Sequence, residues 1–141
     1  MGAWGADIFE NDAAMDFLAD YENSGVRALT EVFERVKTAS NDGYIEVDEG
    51  SAALAAGEII AKAYGKGSAT LSNELGETIA IHASDVASHV SLPAAAVDAI
   101  NLISADAETS EVFGLWLEAG AEDEWLDIVK GLKGRLEGLT R

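Results

Sequence analysis

His82, Asp85 and His89 stand three and four residues apart, a spacing that puts all three on one face of a helix. Two imidazoles and a carboxylate so placed can serve a divalent metal. His82 also continues an apolar stripe with Leu75, Ile79 and Val86, and no Glu-rich companion motif of the di-iron type occurs elsewhere. A half-buried structural histidine is therefore the better reading. Glu58, within Ala55-Ala56-Gly57-Glu58-Ile59-Ile60-Ala61, is the more informative acid. A carboxylate in such apolar company must be paired, hydrogen-bonded or neutral. The favoured role is structural, with a backbone group or an arginine such as Arg27 as partner. The alternative is a functional one: a small-ligand-binding protein or enzyme with Glu58, and His82 beside it, in an interhelical pocket.

The remaining chemistry is thin. Gly65-Lys66-Gly67-Ser68 lacks the Walker spacing and follows no strand pattern, so it reads as a helix stop. Asp7, Glu10, Asp12 and Asp16 do not follow the calcium-loop spacing. There is no cysteine, which removes disulfides, thiol catalysis and thiolate metal sites. With two histidines and no Ser-His-Asp pattern, little remains for nucleophilic catalysis. No cofactor or bound metal is expected, and a non-enzymatic role is preferred. Three tryptophans, Trp4, Trp116 and Trp125, suit core packing, although Trp4 and Trp116 together could line a groove.

These residues must be held by helices. Asn11 can cap a helix from about Asp12 to Glu22, whose stripe is Ala14, Phe17, Leu18 and Tyr21. A second spans roughly Gly25 to Thr38, with Glu31 and Arg35 in favourable i, i+4 register. Tyr44-Ile45-Glu46-Val47 could pass for a strand, but no second strand pattern exists to pair with it, so it reads as an extended connector. A third helix, alanine-rich, runs from Asp48–Ser51 to about Tyr64; its small residues allow close approach and predict a central position with Glu58 in its middle. Residues 68–92 read as one interrupted helix. Pro93 suits the first turn of the next. Asp106 or Thr109 can cap a short helix carrying Val112, Leu115, Trp116 and Ala119. A last helix begins near Ala121 with three acids in its first turn, the sign its dipole favours. The expectation is an all-α, single-domain bundle of about six helices over residues 1–141, antiparallel through short loops. An ordered N-terminal segment precedes it, with Trp4 mostly buried and Phe9 pinning the chain ahead of the first helix.

Charge narrows the partners. The net charge is −17, from 26 acids against nine bases, and twelve acids but no Lys or Arg lie between Gly67 and Val129. Such a surface repels phosphate backbones and anionic lipid, which disfavours nucleic acid and membrane. A basic protein partner would be attracted; solubility or a salty cytoplasm are the plainer explanations. No apolar run approaches the ~20 residues of a membrane span, and no secretion signal opens the chain, so a cytoplasmic location is expected.

Met1-Gly2-Ala3-Trp4-Gly5, followed by Phe9, Asn11-Asp12 and Asp16-Phe17-Leu18, resembles the opening of a family of small bacterial proteins known only as a domain of unknown function. Ala53-Leu54-Ala55-Ala56-Gly57-Glu58, Leu115-Trp116 and the later Trp125 extend the resemblance over nearly the whole chain. The family implies no activity and no catalytic residues. Together these readings point to a small acidic interaction module, an immunity or partner-binding protein in its sharpest form. Trp4, Glu58, His82 and Trp116 are the candidate site residues.

Overall fold

The computed structural model describes residues 5–140, and among them the chain forms eight α-helices. Asn11 opens the first: its side-chain oxygen accepts from Ala14 N at 2.8 Å, and its amide donates to the Ile8 carbonyl. Just before it, Ala6, Ile8 and Phe9 are buried, so the segment ahead of the helix is part of the core. Full burial of one such large side chain stabilises by roughly 1.5–3 kcal/mol, enough to resist fraying. Trp4 lies outside the described residues.

Helix α1 (Asp12–Ser24) buries Ala14, Phe17, Leu18 and Tyr21, the predicted stripe. One residue, Gly25, separates it from α2 (Val26–Asn41). Gly25 has φ 59° and ψ −132°, a conformation in practice open only to glycine, which turns the corner without a loop. On the outer face of α2, Glu31 pairs with Arg27 at 3.6 Å rather than with Arg35; both side chains are exposed, so the bond contributes little.

The connector after α2 is extended as expected, yet it is paired. Ile45 N donates to Thr109 O at 2.8 Å and Glu111 N donates to Ile45 O at 2.9 Å, an isolated parallel bridge with Ser110. Helix α3 (Val47–Ala63) then crosses the middle of the molecule and packs against each of the other seven helices. Its small residues make this possible. A Cβ on Gly57 would stand only 3.3 Å from a Leu132 methyl and 3.5 Å from one of Leu136, so these helices touch nearly backbone to side chain.

Residues 68–92 hold two helices rather than one, α4 (Asn73–Ala80) and α5 (Ala83–Ser88), which helps bring the number to eight instead of about six. Ser72 caps α4 by accepting from Leu75 N. His82 breaks the continuation, with φ −115° and ψ 11°. Helix α6 (Leu92–Ile103) carries Pro93 in its first turn. Helices α7 (Glu111–Glu118) and α8 (Glu122–Glu137) complete the fold, and Ser110, not Asp106 or Thr109, occupies the cap position of α7. Among the described residues no helix is long and apolar enough to cross a membrane.

Candidate functional site

Glu58 is 1 % exposed, on the central helix, and its charge is met in full. Arg135 of α8 reaches it with both arms of the guanidinium: Nη1 donates to Oε2 and Nη2 to Oε1, each at 2.9 Å. The backbone N–H of Ser68 donates to Oε2 at 2.9 Å. Arg135 Nη1 also donates to the Lys66 carbonyl at 2.8 Å. Planar fork on planar fork is the strong form of a charge-assisted pair. The predicted arginine was Arg27, but Arg27 is on the outer face of α2, bonded to Glu31. What Glu58 holds together is α3, α8 and the Gly65–Ser68 turn. A cavity of about 230 Å³ beside it is lined also by Ile8, Phe9, Leu71 and Leu75.

His82 is a tie between distant turns. Its Nε2 lies 2.9 Å from the Glu22 carbonyl oxygen, and because a carbonyl can only accept, Nε2 carries the proton. Its ring meets the Tyr21 ring edge-on at 5.3 Å and rests over Gly25. His89 sits at the other end of α5 and bonds instead to the Asp85 carbonyl, 2.8 Å from Nδ1. The three-residue set suggested by the spacing is thus not assembled, and no group of three metal-ligating side chains occurs among the described residues.

Trp116 stands in a different place. Together with Trp125 it lines a chamber of about 320 Å³ bounded by residues 5–8, α1, α3, α7 and α8. Ile8, Leu54, Val112 and Leu115 supply apolar wall, and Asp7, Asp12, Asp16 and Asp48 supply carboxylates. Asp16 and Asp48 also line a second hollow with Asp20, Glu49 and Arg35, and Glu49 and Arg35 line a third with Glu34 and Asp42. Shared lining residues set the three hollows side by side along one acidic face, the furrow. Among the described residues it carries eight carboxylates, Asp7, Asp12, Asp16, Asp20, Glu34, Asp42, Asp48 and Glu49, against one cation, Arg35. None of the eight is ion-paired among the described residues.

Of the candidate residues, His82 lies apart at the junction of α4 and α5, while the cavity beside Glu58 adjoins the Trp116 chamber through Asp7 and Ile8. Sequence reasoning did not single out Asp48, Ser51 or Arg135. Asp12, Asp16 and Asp20 did carry a signal, since spacing of four puts all three on one outer face of α1. Arg135 offered none beyond its sign near the end of α8.

No curated protein and no solved structure matches the chain. The model of one family does, over residues 2–127, a stretch that contains the whole furrow, Glu58 and His82, and that stops within α8 before Arg135. By that match the chain belongs to the family described as Domain of unknown function (DUF4259).

Proposed function

We propose that the chain is a non-enzymatic interaction module whose acidic furrow binds a basic segment of another protein. One observation carries this reading: among the described residues eight carboxylates and a single cation line three adjoining hollows, the first of them an aromatic chamber. Carboxylates that are unpaired among the described residues and gathered on one face set up a negative field, which raises the encounter rate with a positive partner and rejects negative ones. Immunity toward a basic toxin is the sharpest form of the same idea, because tight pairing of such proteins draws on charge complementarity. A cytoplasmic setting suits it.

A Lys/Arg-rich peptide labelled for fluorescence anisotropy tests the reading. Affinity falls about tenfold or more between ~0.05 M and ~0.3 M salt, as screening requires. The triple variant Asp16→Asn, Asp48→Asn, Glu49→Gln loses most of the binding at low salt. A triple variant of equal charge change outside the furrow, Asp98→Asn, Asp106→Asn, Glu108→Gln, loses little. Equal loss in both variants would mean that the peptide sees only net charge, and the furrow would not be the site.

Small-ligand binding or catalysis at Glu58 is the second reading, favoured by the cavity of about 230 Å³ on whose wall Glu58 lies. Against it, both carboxylate oxygens are already bonded to Arg135, and Ser68 N–H adds a third bond.

A further inference from the structure

We propose that the chamber beside Trp116 is an anchor pocket for one arginine side chain, the point at which a basic partner is fixed in the furrow. The inference rests on the furrow being the partner site. Its support is the mixed chemistry of the chamber, which a uniformly acidic surface would not have.

Apolar wall comes from Ile8, Leu54, Val112 and Leu115, and aromatic wall from Trp116 and Trp125. Trp125 is almost fully buried and packs on Phe113 with ring centroids 5.2 Å apart, so that side of the chamber is fixed by the core. Trp116 is only half-buried and leaves indole surface open. Ser51, 5 % exposed, lines the chamber, and its hydroxyl bonds to none of the described residues. A buried hydroxyl in the chamber wall with no partner among the described residues is suited to a ligand atom. Asp7, Asp12, Asp16 and Asp48 bring the negative charge.

An occupant complementary to this set has an apolar stem, a planar cationic head and several N–H donors. Arginine has all three. Its guanidinium is weakly hydrated, stacks on aromatic faces and bonds carboxylates two at a time, whereas the lysine ammonium is a compact, strongly hydrated charge. Phosphates and carboxylate ligands are repelled by the same four aspartates.

The probe is N-acetyl-arginine amide, titrated into the full chain and followed by ¹H–¹⁵N NMR, with the Trp116 indole N–H assigned through Trp116→Phe. Saturable shifts are expected at Trp116, Ser51, Leu54 and Val112. The citrulline counterpart, which keeps shape but lacks charge, binds at least about tenfold more weakly. Bare guanidinium, which lacks the stem, does so too, and so does arginine amide with the surface variant Asp12→Asn/Asp16→Asn, whose substitutions do not touch the core. Shifts that do not saturate, or that are equal for citrulline or bare guanidinium, overturn the proposal. If the basic peptide binds in the furrow while arginine amide leaves the chamber unmoved, the anchor is refuted and the furrow reading stands. If arginine amide fills the chamber while the peptide ignores the furrow variants, the pocket stands and the partner reading fails.

Discussion

Arg135 and Glu58 lie 77 positions apart in the chain and meet fork to fork, with two contacts of 2.9 Å. Glu58 is the buried member, at 1 % side-chain exposure, and Arg135 the partly open one, at 28 %. The pair closes α8 onto the central helix at the level where α3 ends and the chain turns. Ser68 N–H and the Lys66 carbonyl are bonded to the same two side chains, so one ion pair also sets the path of the turn.

Removing both partners is expected to cost less than the two single losses added together. Arg135→Met leaves a buried carboxylate with Ser68 N–H alone, a loss of about 3 kcal/mol, the low end for a buried pair because solvent reaches the arginine. Glu58→Leu combined with Arg135→Met removes the buried charge. The Ser68 N–H and Lys66 carbonyl then lose partners, at about 1 kcal/mol each. The double variant should therefore lie closer to wild type than the sum of the single variants. Urea unfolding midpoints of wild type, both single variants and the double variant measure this; additive losses would mean the pair is not coupled.

Gly25 is the second point at which one residue controls a junction. Gly25→Ala places a side chain at φ 59° and ψ −132° and brings its Cβ to 3.3 Å from the His82 ring. Backbone strain of this kind costs of the order of 1–3 kcal/mol. Adding His82→Ala relieves the contact but not the dihedral, so most of the loss should persist in the double variant. Thermal unfolding of the two variants and of His82→Ala alone separates strain from crowding. Full recovery in the double variant would assign the cost to the ring instead.

Much of the helical framework was legible because local chemistry agreed with tertiary packing. Asn11 caps, the stripe Ala14, Phe17, Leu18 and Tyr21 is buried, Pro93 sits in a first turn, and the alanine-rich helix is central. What escaped were relations between distant segments. The bridge from Ile45 to Ser110 has no strand pattern on the Ser110 side, because a single pair of ladder bonds needs no side-chain alternation. The break at His82 follows from a bond to Glu22 sixty residues away, which periodicity along the chain does not register. The bond of Arg135 to Glu58 depends on how α8 lies on α3, which neither helix encodes alone. The furrow was half visible: Asp12, Asp16 and Asp20 share a face by spacing, but Asp48, Ser51 and Trp116 join them only through folding.

Alkaline pH should expose the contribution of Tyr21. Its hydroxyl donates to the Ile79 carbonyl at 2.6 Å in the core. Burial raises its pKa from 10.0 to about 12, the His82 backbone opposing in part and the Asp85 carboxylate adding to the rise. Below pH 10 the phenol is protonated in the folded and the unfolded chain alike, and the contribution is fully present. Between pH 10 and about 12 the unfolded chain ionises first, so the folded state loses stability as pH rises, on the order of 2 kcal/mol in total. Tyr21→Phe leaves the Ile79 carbonyl without its donor and is weaker by about 1 kcal/mol at pH 8, but it has no phenol to ionise. Its stability curve should therefore approach that of wild type from pH 10 upward, cross it at about pH 10.7, where wild type has lost about 1 kcal/mol, and lie above it at pH 12. Urea unfolding of both proteins at pH steps from 8 to 12 tests this. The two proteins differ in no other group, so curves that stay parallel throughout would show that Tyr21 ionises no differently in the folded chain.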